Sequence, residues 1–374
     1  MPDQDANPIY ETSPRSSRTQ TELLPLLRSH LPYSLPLLRR IQHEIAHPSP
    51  TAVILTTFPA PAPSSGPSPR VPEYDVSPWL LAYVDLSAGR ETQIVLYSSL
   101  ERASLHPTTI TTITNTNITN PTIPISTLPP STTKNLLPLR TQLLSLLKYI
   151  KTHHLPPYLS TFPPPPPKND HQLAPPPPTA FLIGNLHTGV FSSLLREKIE
   201  YATADLETDF IDGIKIHRYD RAPYVKYLFP EERIYAENEA ISGFHFGDGN
   251  VRREDLGLVR ARTAIPRSEE TLARLRSCAV YRDTPVHSIG EGKPVAWAFL
   301  GTDGSLATLH VEEEVRGLGL AGFVGREVMR RGVEDVGGGG VHANVAMENR
   351  ASRRVMEKLG GEVGWTVTWT VVEV

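Results

Sequence analysis

Pro294-Val-Ala-Trp-Ala-Phe-Leu-Gly301, Thr302-Asp303-Gly304, Ser305-Leu-Ala-Thr-Leu-His-Val311 and, after Glu312–Glu314, Arg316-Gly-Leu-Gly-Leu-Ala321 form the most informative stretch of the chain. Two short runs rich in apolar residues flank an Asp-Gly turn, which predicts an antiparallel hairpin. The glycine-rich segment then opens a helix running to about Arg331. Gly337–Gly340 leads into a predicted strand, Val341–Ala346, and Asn349 stands at the start of a further helix that ends at Leu359-Gly360-Gly361. A final strand pattern spans Val363–Val374.

A glycine-rich turn between a strand and a helix has a specific electrostatic character. The unpaired N–H groups of the first helical turn and the positive end of the helix dipole both face the turn. Gly317 and Gly319 carry no Cβ that would hold a pyrophosphate off the backbone, and Arg316 adds a permanent positive charge. A phosphate-bearing ligand is one reading; an ordinary tight turn is the other. The segment also satisfies Gly317-x-Gly319-x-x-Gly322, formally a dinucleotide fingerprint, with Glu334 and Asp335 downstream. Its setting argues against NAD. That fingerprint belongs to a parallel βαβ unit, whereas here an antiparallel hairpin precedes it and too little chain follows for a doubly wound sheet.

Upstream of this region the composition changes. Of the 37 prolines, 32 precede residue 179, whereas 14 of the 25 glycines lie from 301 onward, so the chain is read as two unlike halves. Residues 1–20 are polar and are expected to be a disordered tail. Leu23, Leu24, Leu27 and Leu31, then Leu37, Leu38, Ile41 and Ile45, recur at helical spacing around Pro32 and Pro36. Strands are predicted at Thr51–Thr57, Trp79–Asp85 and Thr92–Ser98, the last two as a hairpin around Ala88-Gly89, and an amphipathic helix at Leu136–Ile150. Low-complexity insertions occupy 58–72, 104–133 and 160–179; the oligoproline runs at 163–167 and 175–178 are stiff spacers or ligands for proline-reading partners. Loop-closure entropy grows only logarithmically with length, so residues 21–196 are compatible with one α/β unit carrying inflated loops. The second unit is placed at 197–374, with the boundary between about 195 and 250.

Composition also excludes several classes. One cysteine, Cys278, rules out an intrachain disulfide framework and a Cys-rich zinc site, and the histidines, His153-His154 included, show no metal-ligand spacing. Lys+Arg 37 against Asp+Glu 40 gives no overall charge that would draw nucleic acid or an anionic membrane. No apolar run approaches the ~20 residues of a membrane span, and the N-terminus is acidic rather than signal-like. A soluble protein of the cytoplasm, or of the nucleus, is expected.

Arg316-x-x-Gly319-x-Ala321, between an antiparallel strand and a helix, resembles the acyl-CoA-binding motif of the GNAT N-acyltransferase superfamily. Asn349-x-x-Ser352 with Glu357-Lys358-Leu359-Gly360 resembles that superfamily's next helix, and Thr263–Arg267 with Lys293–Ala321 is similar to its glycine N-acyltransferase-like branch. The resemblance is specific over roughly 260–374. It implies a mixed α/β (α+β) fold, a mostly antiparallel sheet flanked by helices, with a degenerate GNAT-like half at 21–196. It further implies acetyl-CoA or another acyl-CoA as co-substrate, no metal, and a small-molecule or protein amine as acceptor. A fold of this type without turnover, acting as an acyl-CoA-binding scaffold, is the alternative.

By this resemblance, Leu309, His310 and Val311 lie along the pantetheine arm and supply the oxyanion donor. Arg316, Gly317, Leu318, Gly319, Leu320 and Ala321 hold the pyrophosphate, and Asn344, Asn349 and Ser352 add contacts. Asn349 is equally suited to capping its helix. Two departures concern the chemistry. Where many relatives carry a tyrosine as general acid, seven residues after Asn349, this chain has Met356; where glycine-acylating relatives carry a basic carboxylate, it has Ser305. His310 and Glu314, within the Glu312–Glu314 run, are the nearest alternatives as base, histidine because it titrates near neutrality. Each also has a plain reading, as a strand residue and as a solvated turn. Trp297 is read as core packing and Cys278 as buried and inert.

Overall fold

A computed structural model describes residues 7–60, 78–103, 124–128, 133–161, 174–263, 265, 267–283, 292–336 and 340–374. Among them are strands β1 (Tyr10–Thr12), β2 (Val53–Thr56), β3 (Leu80–Val84), β4 (Ile94–Ser98), β5 (Phe181–His187), β6 (Lys215–Tyr219) and β7 (Tyr224–Phe229). The remainder are β8 (Phe244–Phe246), β9 (Ser277–Arg282), β10 (Ala296–Leu300), β11 (Leu306–Val311), β12 (Val341–Ala346) and β13 (Glu362–Glu373). Helices are α1 (Leu24–Ser29), α2 (Leu35–Ala46), α3 (Thr133–Tyr149), α4 (Leu155–Thr161) and α5 (Thr188–Ser192). They continue with α6 (Glu231–Ile234), α7 (Leu256–Ala261), α8 (Glu269–Arg274), α9 (Leu320–Val336) and α10 (Arg350–Lys358).

The strands form two sheets. The larger runs β1-β2-β3-β4-β5-β13-β7-β12, with β6 also on β13; the smaller runs β11-β10-β9-β8. Pairing is antiparallel except between β4 and β5, where Ile94 and Val95 face Ile183 and Gly184. This is the expected mixed, mostly antiparallel α/β architecture, and its central feature is β13. The last strand of the chain lies between β5 of the first half on one side and β6 and β7 on the other. Each backbone amide and carbonyl of a central strand must find a partner, so this insertion joins the halves through one continuous ladder.

Helix spacing in the sequence is matched by burial. Leu139, Leu143, Leu146 and Leu147 along α3 and Ile150 just after it are all fully buried, and Leu37, Leu38 and Ile41 bury the inner face of α2. In α9, Leu320, Phe323, Val324 and Val328 are buried in the core that also takes in Ala296, Ala298 and Leu306 from the second sheet. Each such side chain contributes about 1.5–3 kcal/mol on burial. None of the described helices is long and apolar enough to cross a membrane.

One expectation is overturned. Residues 7–20, expected within a disordered tail, belong to the fold: Tyr10, Glu11 and Thr12 pair with Thr56, Leu55 and Ile54, and Thr19 is fully buried in the turn before α1. The composition of this segment is too polar for a core of its own. Its order comes from backbone hydrogen bonds to β2, which depend little on side-chain type. Large parts of the proposed insertions (61–72, 104–123, 129–132 and 162–173) and Gly337–Gly339 lie outside the described residues.

Candidate active site

The two sheets meet at one end of β11. Ser305 and His342 make an isolated parallel bridge, after which β11 continues in the small sheet and β12 in the large one. A cavity of about 550 Å³ opens there, with walls from both halves. Leu309, His310, Ser305 and Asn344 line it from the parting strands, and Asn349, Ser352 and Met356 line it from α10. The first half contributes Arg40, Glu91, Thr92 and Asn185, and Asp220, Tyr224 and Trp369 complete that end.

The backbone of β11 is shaped for an unpaired edge. Glu312 N–H donates to the Val295 carbonyl (2.9 Å), which fixes the phase of the β10–β11 ladder. His310 opposite Trp297 is therefore a hydrogen-bonded pair, and Val311 opposite Ala296 directs its amide and carbonyl away from β10. The Val311 carbonyl does receive a bond from that side, from Arg316 Nε at 3.2 Å. Upstream, the register slips between Trp297 and Phe299, and Thr308 takes φ +50°, a bulge that turns the strand beside the cavity.

Beyond β11 the chain passes through a single helical turn, Glu313–Val315, into the glycine loop. Gly317 and Gly319 have φ +85° and +87°, left-handed conformations that a Cβ strains. Around Gly317 a Cβ would meet nothing within 4 Å, so it is conformation and not crowding that selects glycine there. Leu320 then begins α9, with its unpaired first-turn amides directed toward the loop. Arg316 is exposed and pairs with Glu313 at 3.3 Å. The loop lies outside the walls of the cavity, past the far end of β11, as does Glu314, which is solvent-exposed.

Asn349 does cap α10: its Oδ1 accepts from Ser352 N–H at 3.0 Å, while both residues also line the cavity. Trp297 is fully buried, as expected, but it also borders the cavity and stacks on His310 with ring centroids 4.6 Å apart. His310 Nε2 is sealed from solvent without a hydrogen-bond partner; the Glu312 carboxylate is 3.5 Å away and not in bonding geometry. That nitrogen cannot touch a ligand in the cavity without moving. Met356 is 3 % exposed, part of the core beneath α10. Burial raises the Cys278 thiol to about 12, so it stays protonated at neutral pH.

Sequence reasoning missed a buried polar cluster behind Ser305. Lys226 on β7 is 1 % exposed, and its Nζ donates to Asn185 Oδ1 (2.7 Å) and Asn344 Oδ1 (2.8 Å) and lies 3.2 Å from His342 Nδ1. His342 Nε2 is 3.0 Å from the Asp303 carbonyl oxygen, so Nε2 carries the proton and Nδ1 accepts. The Asp303 carboxylate accepts from Ser305 N–H (3.1 Å), Ser305 Oγ (2.6 Å) and the Asn185 side-chain amide. Burial lowers Lys226 to about 7, against the pull of Asp303 and Glu101. Burial alone would raise the Asp303 carboxyl, but His342, the Ser305 hydrogen bonds and Lys226 outweigh it and hold the carboxyl below its usual range. A lysine in a Val-Lys-Tyr strand and an aspartate in a turn carry no local pattern that signals this role.

Among the described residues, the start of α5 in the first half is covered. After β5, the segment 124–128 covers the start of α5. Ser126 N–H donates to Thr366 Oγ1 (2.8 Å), Ser126 Oγ accepts from Thr366 N–H (2.9 Å), and Thr188 Oγ1 donates to the Ser126 carbonyl (2.7 Å). A Cβ on Gly189 would lie 2.7 Å from Leu128 N, a backbone atom that cannot swing aside. The helix start that lines the cavity in the second half is thus covered by the chain itself in the first.

The chain matches two family profiles: one described as the acyl-CoA N-acyltransferase verG N-terminal domain, over residues 6–227, and one described as FR47-like protein, over 286–370. No curated protein sequence matches it. Among solved structures, a Drosophila protein shares the fold, with TM-score 0.51, 12% identity and 97% of each chain covered. A tandem GNAT protein from the clavulanic acid biosynthesis pathway, solved without acetyl-CoA, matches with TM-score 0.44, 11% identity and 97% of each chain covered. A GCN5-related N-acetyltransferase from Kribbella flavida matches with TM-score 0.33 and 14% identity over 52% of this chain and 67% of that one.

Proposed function

Because the chain belongs to the acyl-CoA N-acyltransferase family of the verG N-terminal domain, we propose that its second half binds an acyl-CoA and transfers the acyl group, an acetyl in the simplest case, to an amine held between the halves. The observation that carries this reading is the parting of β11 and β12 beyond Ser305 and His342, with a cavity of about 550 Å³ at the fork. A pantetheine arm has two amide groups and pairs with an open strand edge; the outward amide and carbonyl of Val311 offer one. The loop Arg316–Ala321 takes the pyrophosphate on left-handed glycines and first-turn amides, with Arg316 as counter-charge. Asn344, Asn349 and Ser352 face the space beside the thioester.

The reaction is direct attack. The amine loses a proton, its nitrogen bonds to the thioester carbon, and backbone amides along Leu309–Val311 stabilise the oxyanion. Collapse breaks the C–S bond. A thiol of pKa ~8.5 is a tolerable leaving group, so an acid at the Met356 position is dispensable. Of the two candidate bases, Glu314 lies outside the cavity and His310 has its Nε2 sealed, while the hydroxyl of Ser305, which stands where relatives carry the basic carboxylate, is committed to Asp303.

The direct test is calorimetry with acetyl-CoA and with coenzyme A, followed by thiol release against a panel of amines. Saturable binding that the double variant Arg316→Glu, Gly319→Trp loses is expected. Absence of binding at millimolar ligand, or equal binding by the variant, would sink the reading; a preference for NAD would replace it.

A further inference from the structure

We propose that Asp303 is the carboxylate that takes the proton from the acceptor amine, and that Asn185 and Lys226 are positioning residues that hold it across the joint between the halves. The assignment rests on the acyl-transfer reading and adds to it the residue at which the proton is received.

Three carboxylates line the cavity. Glu91 is engaged by Arg267 (3.6 Å), by Ser268 N–H (3.2 Å) and by Thr271 Oγ1 (2.9 Å). Asp220 accepts from Trp369 N–H at 2.9 Å, and Trp369 itself reaches Thr92 of the first half, so Asp220 is tied to the wall formed by β13 and the first half. Asp303 stands at the fork, in the turn that leads into β11, with its side chain 15% exposed. Its Oδ1 takes two bonds from Ser305, and its Oδ2 takes one from Asn185. A carboxylate oxygen has two lone pairs, so Oδ2 retains one for an incoming N–H.

The holding arrangement spans both halves. Asn185 comes from β5 of the first half and has φ +57°, a left-handed conformation that asparagine tolerates better than most residues. Its side-chain oxygen is taken by Lys226 and its amide by Asp303, so the lysine fixes which way the amide faces. The groups facing Asp303 are Ser305 on its own hairpin, His342 on β12, Lys226 on β7, and Arg39 and His43 on α2. The Arg39 stem packs against Gly304, where a Cβ would lie 2.6 Å from Arg39 Cγ. All but Ser305 are basic side chains. Burial lowers His342 and His43 to about 3 and leaves them neutral at pH 7, so it is the hydrogen bonds from Ser305 and Asn185, with the charge of Lys226, that keep the carboxylate ionised and ready to pair with an ammonium.

The step balances without any co-reactant. An acceptor R–NH3+ gives one proton to Asp303 Oδ2; the freed nitrogen pair bonds to the thioester carbon. The C–S bond breaks, the sulfur leaves with its electron pair and takes the second proton from nitrogen as thiol, and Asp303 returns the first proton to solvent. The acceptors this favours are aliphatic amines, cationic at neutral pH.

The test compares Asp303→Asn, Lys226→Met and Ser305→Ala in the full chain, with coenzyme A affinity as the control for folding. For Asp303→Asn a loss of kcat of about 100-fold or more is expected, with coenzyme A affinity unchanged. For Lys226→Met and Ser305→Ala the acid limb of the kcat profile moves to higher pH, because each substitution removes a group that lowers the Asp303 carboxyl. A wild-type rate in Asp303→Asn overturns the assignment. An unmoved acid limb in Lys226→Met, with coenzyme A still bound, overturns the positioning role. A wild-type chain that binds coenzyme A but never releases thiol sinks the acyl-transfer reading instead, and this assignment with it.

Discussion

Ser305, just before β11, and His342 in β12 are joined by an isolated parallel bridge, past which the two strands pair in different sheets. Both residues belong to the polar cluster around Asp303, Ser305 by donating its hydroxyl to the carboxylate and His342 through the backbone carbonyl. The place where the sheet opens and the place where charge is concentrated are therefore the same.

Gly317 and Gly319 adopt φ near +85°. An alanine in the left-handed region costs about 1–2 kcal/mol, so Gly317→Ala and Gly319→Ala should weaken coenzyme A binding by roughly 5–30-fold through the loop conformation alone. Calorimetric affinity checks this. Equal affinity in both variants would mean that the loop does not hold the ligand.

The start of α5 is covered by residues 124–128, whereas the start of α10 is open to the cavity. Coenzyme A should accordingly bind with a stoichiometry of one per chain. A measured value of two would place a second site in the first half. Gly189→Ala, which sets a Cβ against Leu128 N, should lower stability by about 1–3 kcal/mol, read from the denaturation midpoint, and leave that stoichiometry unchanged.

Lys226 is lowered to about 7 by burial, against 10.5 in an unfolded chain. Between those values the unfolded chain holds the proton that the folded protein has given up, so stability should rise with pH. Glu101, raised to about 8 by burial, works in the opposite sense only below that pH. Chemical denaturation between pH 8 and 10 is thus the clean window, with a slope of at most ~1.4 kcal/mol per pH unit for one proton. Lys226→Met should flatten it.

His187 is fully buried and its Nδ1 accepts from Gly189 N–H at 2.9 Å, capping α5. Burial, with Lys226 adding to it, lowers its pKa to about 3. The unfolded chain takes up this proton near 6.5, so the stability that neutral His187 contributes is present above 6.5 and is lost progressively as pH falls toward 3. His187→Asn keeps a capping oxygen and removes the titration. Its denaturation midpoints between pH 6.5 and 4 should fall less steeply than those of the unchanged chain; parallel curves would show that His187 is not part of the acid response.

The C-terminal elements were readable because their signals are local. The apolar runs Pro294–Gly301 and Ser305–Val311, the Asp-Gly turn between them, and the glycine segment that opens the next helix each depend on residues a few positions apart. Asn349 was legible as a cap for the same reason. Residues 7–20 were misread because an edge strand is held by its backbone, and composition does not report backbone pairing. His310 was a reasonable base by residue type, but only its packing against Trp297 shows that Nε2 is closed off.

By itself the sequence determined the order of the C-terminal elements and the glycine-dependent turn at Arg316–Ala321, since these rest on short-range periodicity and on glycine's conformational range. The tertiary structure alone decided that β13 joins the halves, that the cavity takes walls from both of them, and that Asp303 is tied to Asn185 and through it to Lys226, 118 and 77 positions away along the chain. Contacts across such separations are set by sheet register and by the need to pair every buried charge, and neither leaves a mark in any local window of residues.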